Sequence, residues 1–429
     1  MANPNFSELS GMPVYNPKDL YNIANALVKQ VTGQTPAIQA VDTSSFISVG
    51  QMCLNTSLES TIRALSEMIG KTFVAIRPYS GKFTSIEQDS MQWGMIVRKI
   101  SFFATQFDQS TDWNTDLAPN QLVDGASVDM YKIKKTYPMQ LFFNGLTTLQ
   151  KDYTRFESQL KVAFESEAAF SAYLYGMSVE IENDIATWKE SKNRLMVANL
   201  AGALVQDGQP ESRVNLTAAF NAKYGTTYTS EELRTSKLSE FLSFFVAWLE
   251  TESQLMTENT TMYHLTPAAT DDSGNTLTLL RHTPKAMQKL LLYTPLITEA
   301  KAWVLPRIFG PGYLSLDNYE GVNFWQNIKD KAKIVVKPSS FDVNTAKQKV
   351  GKEVIIPYVV GLLYDRDCMA TRYVQEGVYT TPFNTHGRYW NVTHHWAEHF
   401  HMDMTENAIL LYMADPADDP AVDHSATGK

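Results

Sequence analysis

The sequence has little of what marks secreted, membrane or nucleic-acid-binding proteins. It has only two cysteines, Cys53 and Cys368, and its N-terminus carries neither a basic start nor an apolar run. We therefore expect reduced thiols and no secretion signal. No window reaches about 18 uninterrupted apolar residues, so we also expect no membrane span. Internal repeats are absent as well.

Clustered positive charge is scarce too. The basic residues form only short clusters, such as Lys132, Lys134 and Lys135, and the net charge is -9. Because affinity for phosphates needs clustered Lys and Arg, this balance argues against nucleic-acid binding as the main role. A length of 429 residues with 44% hydrophobic and 19% charged residues indicates an ordinary folded protein of two or three domains.

Complete catalytic motifs are missing. Neither G-x-G-x-x-G nor G-x-S-x-G occurs. Met68–Thr72 ends like a phosphate-binding loop, but Leu65 stands where the first glycine is needed. The run Tyr364–Asp367 places charges after an apolar stretch, and we interpret it as a salt-bridged strand end rather than a catalytic carboxylate pair. Cys368 beside it has no evident base, so we expect a buried thiol.

Histidines are concentrated near the C-terminus, where five of the eight lie between His386 and His401. Among them His395, Glu398 and His399 match H-x-x-E-H, an inverted zinc-protease motif in which the glutamate is the base. The motif needs a helix, whereas this segment is aromatic and strand-like. We therefore favour a polar sheet edge or an intersubunit contact, with a pH-sensitive histidine cluster at an interface as an alternative.

What is present begins with a long amphipathic helix over residues 166–206. It has no proline, and Gly208 stands just beyond it as a stop signal. Its apolar or small residues recur at gaps of three, four or seven, and they are Phe170, Tyr173, Leu174, Met177, Ile181, Ile185, Trp188, Leu195, Leu200 and Leu204. At 1.5 Å per residue the helix is about 60 Å long. We expect Ile181, Ile185 and Trp188 to be buried on a sheet, with Glu182 and Lys189 opposite.

Residues 73–144 change to strand character. Three stretches are rich in β-branched and aromatic residues, namely FVAIRPY, MIVRKISFFATQF and VDMYKIKKTYPMQLFF. In the third, Tyr131 and Ile133 alternate with lysines, which predicts a two-faced strand. The segment before it carries four aspartates and no Lys or Arg, which predicts an acidic tip. A long hairpin cannot bury both faces by itself, so we expect it to lie on another molecule.

The remaining chain is predicted to contain short helices and strands. We expect helices from Pro17 to Gly33, from a Thr56–Glu59 capping box to Gly70, after a cap of Thr229 with Glu232, and around Trp303. We expect strands at Leu290–Tyr293, Lys333–Val336, Val354–Tyr364 and Ala408–Met413. The other segments are a loop at 35–46, a polar lead-in at 145–165 and a flexible tail at 415–429. Pro357 predicts an edge position or a break in its strand. The alternation over 209–370 predicts an α/β module.

Several stretches resemble those of short-tailed phage major capsid proteins. They are WKESKNRLMVANLAGAL, RHTPKAMQKLLL, VIIPYVVGLLYDRD, TTPFNTHGRYWN and DMTENAILLYM. Their order, after an arm and a long hairpin, is similar to the HK97-like capsid family of tailed bacteriophages over residues 45–413. The resemblance implies an α+β fold with an N-terminal arm, an extended β-hairpin loop, a long spine helix on a peripheral sheet and an α/β axial domain.

The resemblance also implies a division of the chain. It comprises an arm (1–72), an extended loop (73–144), a peripheral domain with the spine helix (145–207), an axial domain (208–370), return strands completing the peripheral domain (371–414) and the tail (415–429). We expect the spine helix to lie on the returning strands, notably Ala408–Met413.

By this resemblance, the chain is a structural protein without catalytic residues, cofactor or metal. Its copies form hexamers and pentamers of an icosahedral shell around double-stranded DNA, assembled in the host cytoplasm with a separate scaffolding protein and a portal. The assembly contacts we predict are Lys82, Arg98, Trp113, Glu180 and Arg194. An encapsulin-type compartment shell is the alternative, and a zinc hydrolase using His395, Glu398 and His399 is a remote one.

Overall fold

The computed structural model describes most of the chain, as thirteen stretches. These are residues 17–32, 40, 43–56, 81–88, 96–105, 124–125, 127–131, 133–144, 146–164, 167–272, 274–303, 319–345 and 347–421. The α-helices of this part are Pro17–Thr32, Thr43–Thr56, Glu157–Ala163, Glu167–Asp207, Leu216–Tyr224, Ser230–Arg234, Leu238–Leu255 and Thr294–Trp303.

The strands form several sheets. They are β1 (Ile96–Phe102), β2 (Pro138–Asn144), β3 (Leu146–Phe156), β4 (Arg213–Asn215), β5 (Ala269–Thr270), β6 (Thr276–Leu277), β7 (Gln288–Tyr293), β8 (Tyr319–Val322), β9 (Ile334–Val336), β10 (Ser339–Phe341), β11 (Gln348–Val350), β12 (Val354–Ile356), β13 (Tyr358–Asp365), β14 (Met369–Thr380), β15 (Tyr389–Met402) and β16 (Ala408–Met413).

The larger core surrounds a five-stranded sheet in the order β4-β16-β13-β7-β8. β13 and β16 are buried along almost their whole length, as expected of continuous apolar runs covered on both faces. The predicted break at Pro357 is confirmed, because it separates β12 from β13. Gly361 sits at an irregularity of β13, where a Cβ atom would come within 2.7 Å of the Leu291 carbonyl oxygen. The backbones of β13 and β7 therefore approach too closely there for a larger residue.

A smaller core lies on a three-stranded antiparallel sheet in the order β14-β15-β3. The helices Pro17–Thr32 and Thr43–Thr56 pack there through Leu27 and Phe46, and β15 contributes Trp390. Cys53 is buried in this core and Cys368 in the larger one, and the burial of Cys368 was predicted.

The helix Glu167–Asp207, here called the spine helix, connects the two cores. Its first half packs into the smaller core and its last turns into the larger one, where it contacts β16 as predicted. Gly208 follows its last residue, as predicted, and only glycine fits there because a Cβ atom would lie 2.4 Å from the Leu204 carbonyl oxygen.

The predicted burial of the spine helix is only partly correct. Ile181 is buried, but Trp188 is 42% exposed and Glu182 is only 6% exposed. The physical reason is that the helix serves two cores in succession. Its apolar stripe leaves the smaller core after Ile185 and reaches the larger one near Met196, so Trp188, which lies between these points, belongs to neither core.

Other predictions are confirmed along the chain. The helix beginning at Pro17, the capping box of Thr229 with Glu232, and the strands at Leu290–Tyr293 and Ala408–Met413 are all present. The capping box is reciprocal, since the Thr229 hydroxyl accepts from the Glu232 N–H while the Glu232 carboxylate accepts from the Thr229 N–H.

Five predictions are wrong. Residues 146–156 form β3 instead of a polar lead-in, and Thr43–Thr56 is a helix that begins inside the predicted loop. Residues 133–137 are not a strand. β16 pairs with β13 and β4, so it completes the five-stranded sheet instead of joining β14 and β15. The first part of the tail is ordered, because the Tyr412 hydroxyl donates to the buried Asp419 carboxylate. The stretch FVAIRPY and the helix predicted after Thr56 lie outside the described residues.

Candidate functional site

The hairpin of β1 and β2 has two different faces. The strands pair antiparallel from Ile96 opposite Asn144 to Phe102 opposite Pro138, so alternate residues share a face. Lys99 and Ser101 point to the body of the protein. On the outer face Phe102 is 63% and Phe142 is 61% exposed. The predicted hairpin is therefore confirmed at its base, with an outer face that is apolar and uncovered in the single chain.

Exposed apolar side chains continue beyond the paired strands. Met130, Tyr131 and Ile133 lie in the chain returning to β2, and Ile133 is 84% exposed. Such a concentration of exposed apolar residues is unusual for a monomer and marks a surface that another molecule covers. The guanidinium of Arg98 lies 5.8 Å from the centre of the Phe142 ring, so a cation borders this surface.

The inner face of the hairpin is attached to the body by charge. The Lys99 ammonium contacts the carboxylates of Asp403 and Glu406, which lie between β15 and β16. Arg281 contributes Nε at 3.3 Å from the Glu406 carboxylate. Burial raises the pKa of Glu406, and the nearby Lys99 and Arg281 act in the opposite direction. The group is nevertheless balanced, with two cations facing two acids.

The second strand of the hairpin is attached through histidines. His399 Nε2 donates to the Phe143 carbonyl oxygen at 3.1 Å, and the Phe143 ring lies 4.8 Å from the His401 ring. Burial lowers the pKa of His399, and it lowers the pKa of His401 to about 4, with Arg372 the next cause. Arg372 donates to His401 Nδ1 at 3.1 Å, which fits a neutral imidazole.

The zinc-protease motif does not converge on one point. It lies on β15, where His395 and His399 occupy the face opposite to Glu398. His395 packs edge-on against Tyr379, whereas Glu398 accepts a hydrogen bond from Trp188. Within the described stretches, His, Cys, Asp and Glu side chains nowhere form a group of three suited to a metal ion.

The segment 81–88 is attached by hydrogen bonds to β8 and to the spine helix. The Glu320 carboxylate on β8 accepts the N–H groups of Thr84 and Ser85, each at 3.1 Å. Asn193 of the spine helix donates to the Glu87 carboxylate at 2.9 Å. The predicted contact residue Lys82 lies near the start of this segment, and its backbone N–H donates to the Glu190 carboxylate at 3.3 Å.

The other predicted contact residues have different surroundings. Glu180 is half exposed and pairs with Arg155 at 2.9 Å. Arg194 is largely covered, since it pairs with Glu190 at 2.5 Å and its guanidinium lies 3.7 Å from the centre of the Phe324 ring. Arg98 borders the exposed face of the hairpin, while Trp113 lies outside the described residues. The structure thus groups only Arg98 with the exposed apolar face.

The hairpin attachments were missed at the sequence level. Lys99 is separated from Asp403 and Glu406 by about three hundred positions, and pairing over such a distance leaves no local pattern. The only available signal was the position of Lys99 within a largely apolar strand on the face opposite to Arg98, which indicates a charge that must find a partner.

A groove of about 460 Å³ lies between the spine helix and the three-stranded sheet. Its walls are mostly aromatic and aliphatic, with Trp188, Tyr373 and Trp396 prominent among them. Lys189 of the spine helix covers one side, with its ammonium 4.8 Å from the centre of the Tyr373 ring. No helix within the described part of the chain is both long and apolar enough to cross a membrane.

Comparison with known proteins gives a consistent result. The family model of the Phi29-like phage major capsid protein matches residues 24–412. The capsid structure of Staphylococcus phage Andhra is similar at 11% identity and a TM-score of 0.50, over 79% of this chain and 86% of that one. No curated protein matches by sequence. The similarity to the Andhra capsid confirms the predicted HK97-like α+β fold.

Two further capsid structures are similar at lower scores. The capsid of Cyanophage P-SCSP1u has 11% identity and a TM-score of 0.38, over 79% of this chain and 91% of that one. The mature capsid of bacteriophage PhiM1 has 7% identity and a TM-score of 0.37, over 79% and 89% respectively.

Proposed function

The chain belongs to the Phi29-like phage major capsid protein family, and on that premise we propose that its copies assemble into hexamers and pentamers of an icosahedral shell around double-stranded DNA. It is a structural protein of the phage capsid. The observation that carries the proposal is the outer face of the hairpin, where Phe102 and Phe142 are exposed beside Arg98.

A second copy of the chain is the natural cover for this face. Among the described residues nothing covers this apolar surface, and the body of the subunit holds the opposite face of the hairpin. In a closed array every subunit offers the same surface, so one such contact repeats around the whole shell. Aromatic side chains that become fully covered are typical energetic centres of protein interfaces.

Charged residues would then set the register of the contacts. Arg98 at the edge of the hairpin and Glu180 on the spine helix are exposed enough to meet a neighbour. Arg194 is held by Glu190 and Phe324 within the subunit, so we assign it to shaping the spine helix instead. Exposed charges of this kind contribute more to specificity than to affinity.

The proposed division of the subunit follows the two cores. The arm (1–72) and the extended loop (73–144) precede a peripheral part built on β3, β14 and β15, while the axial part contains the five-stranded sheet including β16. The spine helix belongs to both. Because the spine helix packs into both cores, it fixes the position of the peripheral part relative to the axial part.

The finer partners are also proposals. A separate scaffolding protein and a portal would act during assembly in the host cytoplasm. The net charge of -9 fits a shell that does not hold its packaged DNA tightly, because a strongly basic lining would slow genome entry and exit.

Sedimentation and electron microscopy test the proposal directly. The full chain is expressed alone and together with the proposed scaffolding protein. We expect hexamers, pentamers or closed shells under at least one of these conditions. A strictly monomeric species under all of them would contradict the proposed assembly.

A further inference from the structure

Four charged side chains meet where the hairpin joins the body, and we call them the root clamp: Lys99, Arg281, Asp403 and Glu406. Asp403 is fully covered, while the other three are mostly covered. Removing charges from water is costly unless each finds a partner. The cluster satisfies this condition, since Lys99 contacts both acids and Arg281 contacts Glu406.

The loop that carries the two acids is itself fixed. The Asp403 carboxylate accepts from the N–H and the hydroxyl of Thr405, at 2.8 and 2.7 Å. Arg281 donates through Nε to the Thr405 carbonyl oxygen at 3.0 Å. The acids are therefore presented to Lys99 by a loop that is already shaped by its own hydrogen bonds.

β1 is held at two successive inward positions. Besides the contact at Lys99, the Arg281 guanidinium donates to the Ser101 hydroxyl at 2.6 Å. On β2, Phe143 is held by His399 and His401. Two attachment points on one strand and one on the other fix both the position and the direction of a ribbon.

Two more contacts follow further along the ribbon. The Ala104 N–H donates to the Thr278 carbonyl oxygen at 2.8 Å, and the exposed pair of Lys135 with Asp272 lies at 2.5 Å. At about 3.3 Å per residue, the part of β1 from Lys99 to Phe102 extends about 10 Å. A change of direction of about ten degrees at Lys99 therefore moves Phe102 by about 2 Å.

We propose that the root clamp sets the angle at which the hairpin leaves the subunit, and that Lys99 is thereby a positioning residue for assembly. This inference rests on the proposed function, because the angle matters only when the hairpin meets another copy. The clamp adds little net stability, since a buried ion pair and a well-packed apolar replacement are often equivalent in folding free energy. The clamp contributes by fixing the direction of the hairpin.

The test uses the full chain and variants that separate charge balance from geometry. Lys99→Met with Asp403→Asn removes one cation and one acid and leaves Arg281 paired with Glu406, so each remaining charge keeps a partner while the bridge to β1 is lost. Lys99→Arg keeps a cation that reaches both acids. Lys135→Met removes the exposed pair with Asp272 and is the matched control.

Shell diameters are measured by electron microscopy after thermal unfolding has shown that each variant is folded. We expect wild type, Lys99→Arg and Lys135→Met to form uniform shells, and the double variant to form at least tenfold fewer shells of that diameter. Uniform shells of the double variant at wild-type yield would overturn the proposal.

Hydrogen exchange of the unassembled subunit tests the clamp independently of shell formation. We expect amide exchange in β1 and β2 of the double variant to be at least tenfold faster than in wild type, with β13 unchanged. If wild type forms no shells, the proposed function fails, while this difference still decides the clamp. Equal exchange in both proteins would overturn it.

If the double variant does not fold, Ser101→Ala tests the clamp instead, because it changes no charge. Ser101→Ala removes one of the two attachments of β1. We expect faster exchange in β1 and a broader distribution of shell diameters. Unchanged exchange together with an unchanged distribution would overturn the clamp.

Discussion

The indole Nε1 of Trp188 lies 3.0 Å from the carboxylate Oε2 of Glu398 and donates a hydrogen bond to it. The bond joins the middle of the spine helix to β15. Lys192, one turn along the helix, places its ammonium 3.6 Å from the other oxygen of Glu398 and 4.9 Å from the Trp188 ring. Glu398 is thus a buried structural acceptor, and Trp188 reaches it from the partly exposed side of the helix.

Replacing Trp188 by Phe should destabilise the subunit. The ring is largely kept but the donor is lost, which leaves the buried Glu398 carboxylate with one hydrogen bond fewer. We expect a loss of about 1–2 kcal/mol in the free energy of unfolding, measured by urea denaturation. Leu195→Ala, at an exposed position of the same helix, is the control and should change stability by less than about 0.5 kcal/mol. Equal effects of the two variants would contradict the role of this bond.

Glu182→Gln should stabilise the subunit at alkaline pH. Burial raises the pKa of Glu182 to about 7, and its carboxylate has no hydrogen-bond partner among the described residues. The folded state therefore binds the proton more tightly than the unfolded chain, and wild type loses stability as pH rises from about 4.5 to 7.

The variant lacks this loss. We expect it to be more stable than wild type by about 1–2 kcal/mol at pH 8 and to differ little at pH 4.5. The exposed Glu258→Gln is the control and should follow wild type throughout. A constant difference across this range would show that Glu182 does not titrate as expected.

His401→Gln should reduce the sensitivity of the subunit to acid. The pKa of His401 is lowered to about 4, first by burial and then by Arg372 and His399, while Asp403 opposes the shift and Lys99 adds to it. Between about pH 6.5 and 4 the unfolded chain binds more protons at this site, so wild-type stability falls as pH falls.

Glutamine can still accept from Arg372 but does not titrate. Between pH 7 and pH 4 we expect the variant to lose about 2 kcal/mol less than wild type, by urea denaturation at each pH. The partly covered His395→Gln serves as the comparison. Parallel pH profiles for wild type and His401→Gln would be inconsistent with a buried neutral imidazole.

The outer face of the hairpin should be needed for assembly but not for folding. Phe102→Ser together with Phe142→Ser removes two exposed rings that the subunit itself does not cover. We expect thermal unfolding close to that of wild type and a loss of shells in sedimentation. Tyr379→Ser removes a ring that is also 63% exposed but lies on β14, and should still assemble. Normal shells from the double variant would show that this face is not needed for assembly.

Local patterns predicted much of the fold. The spine helix, the Thr229 capping box and the break at Pro357 each follow from signals within a few residues, and all are confirmed. The burial of Trp188 and Glu182 could not be predicted in this way. It depends on where along the helix one core ends and the other begins, and both cores include strands far away in the sequence.

The candidate site was less accessible from the sequence for the same reason. The strand character of residues 73–144 indicated a long hairpin, but which of its faces is attached depends on Asp403, Glu406 and Arg281. The histidine cluster has a residue spacing that suggests a metal site. Only the strand geometry of β15 shows that its members point to different partners.

A structure of the assembled protein by electron cryomicroscopy tests the central claim most directly. The account predicts closed shells in which Phe102 and Phe142 of each subunit are covered by an adjacent copy, while Lys99 remains in contact with Asp403 and Glu406 of its own chain. Shells in which both rings remain exposed to solvent, or a chain that stays monomeric with its scaffolding protein present, would contradict it.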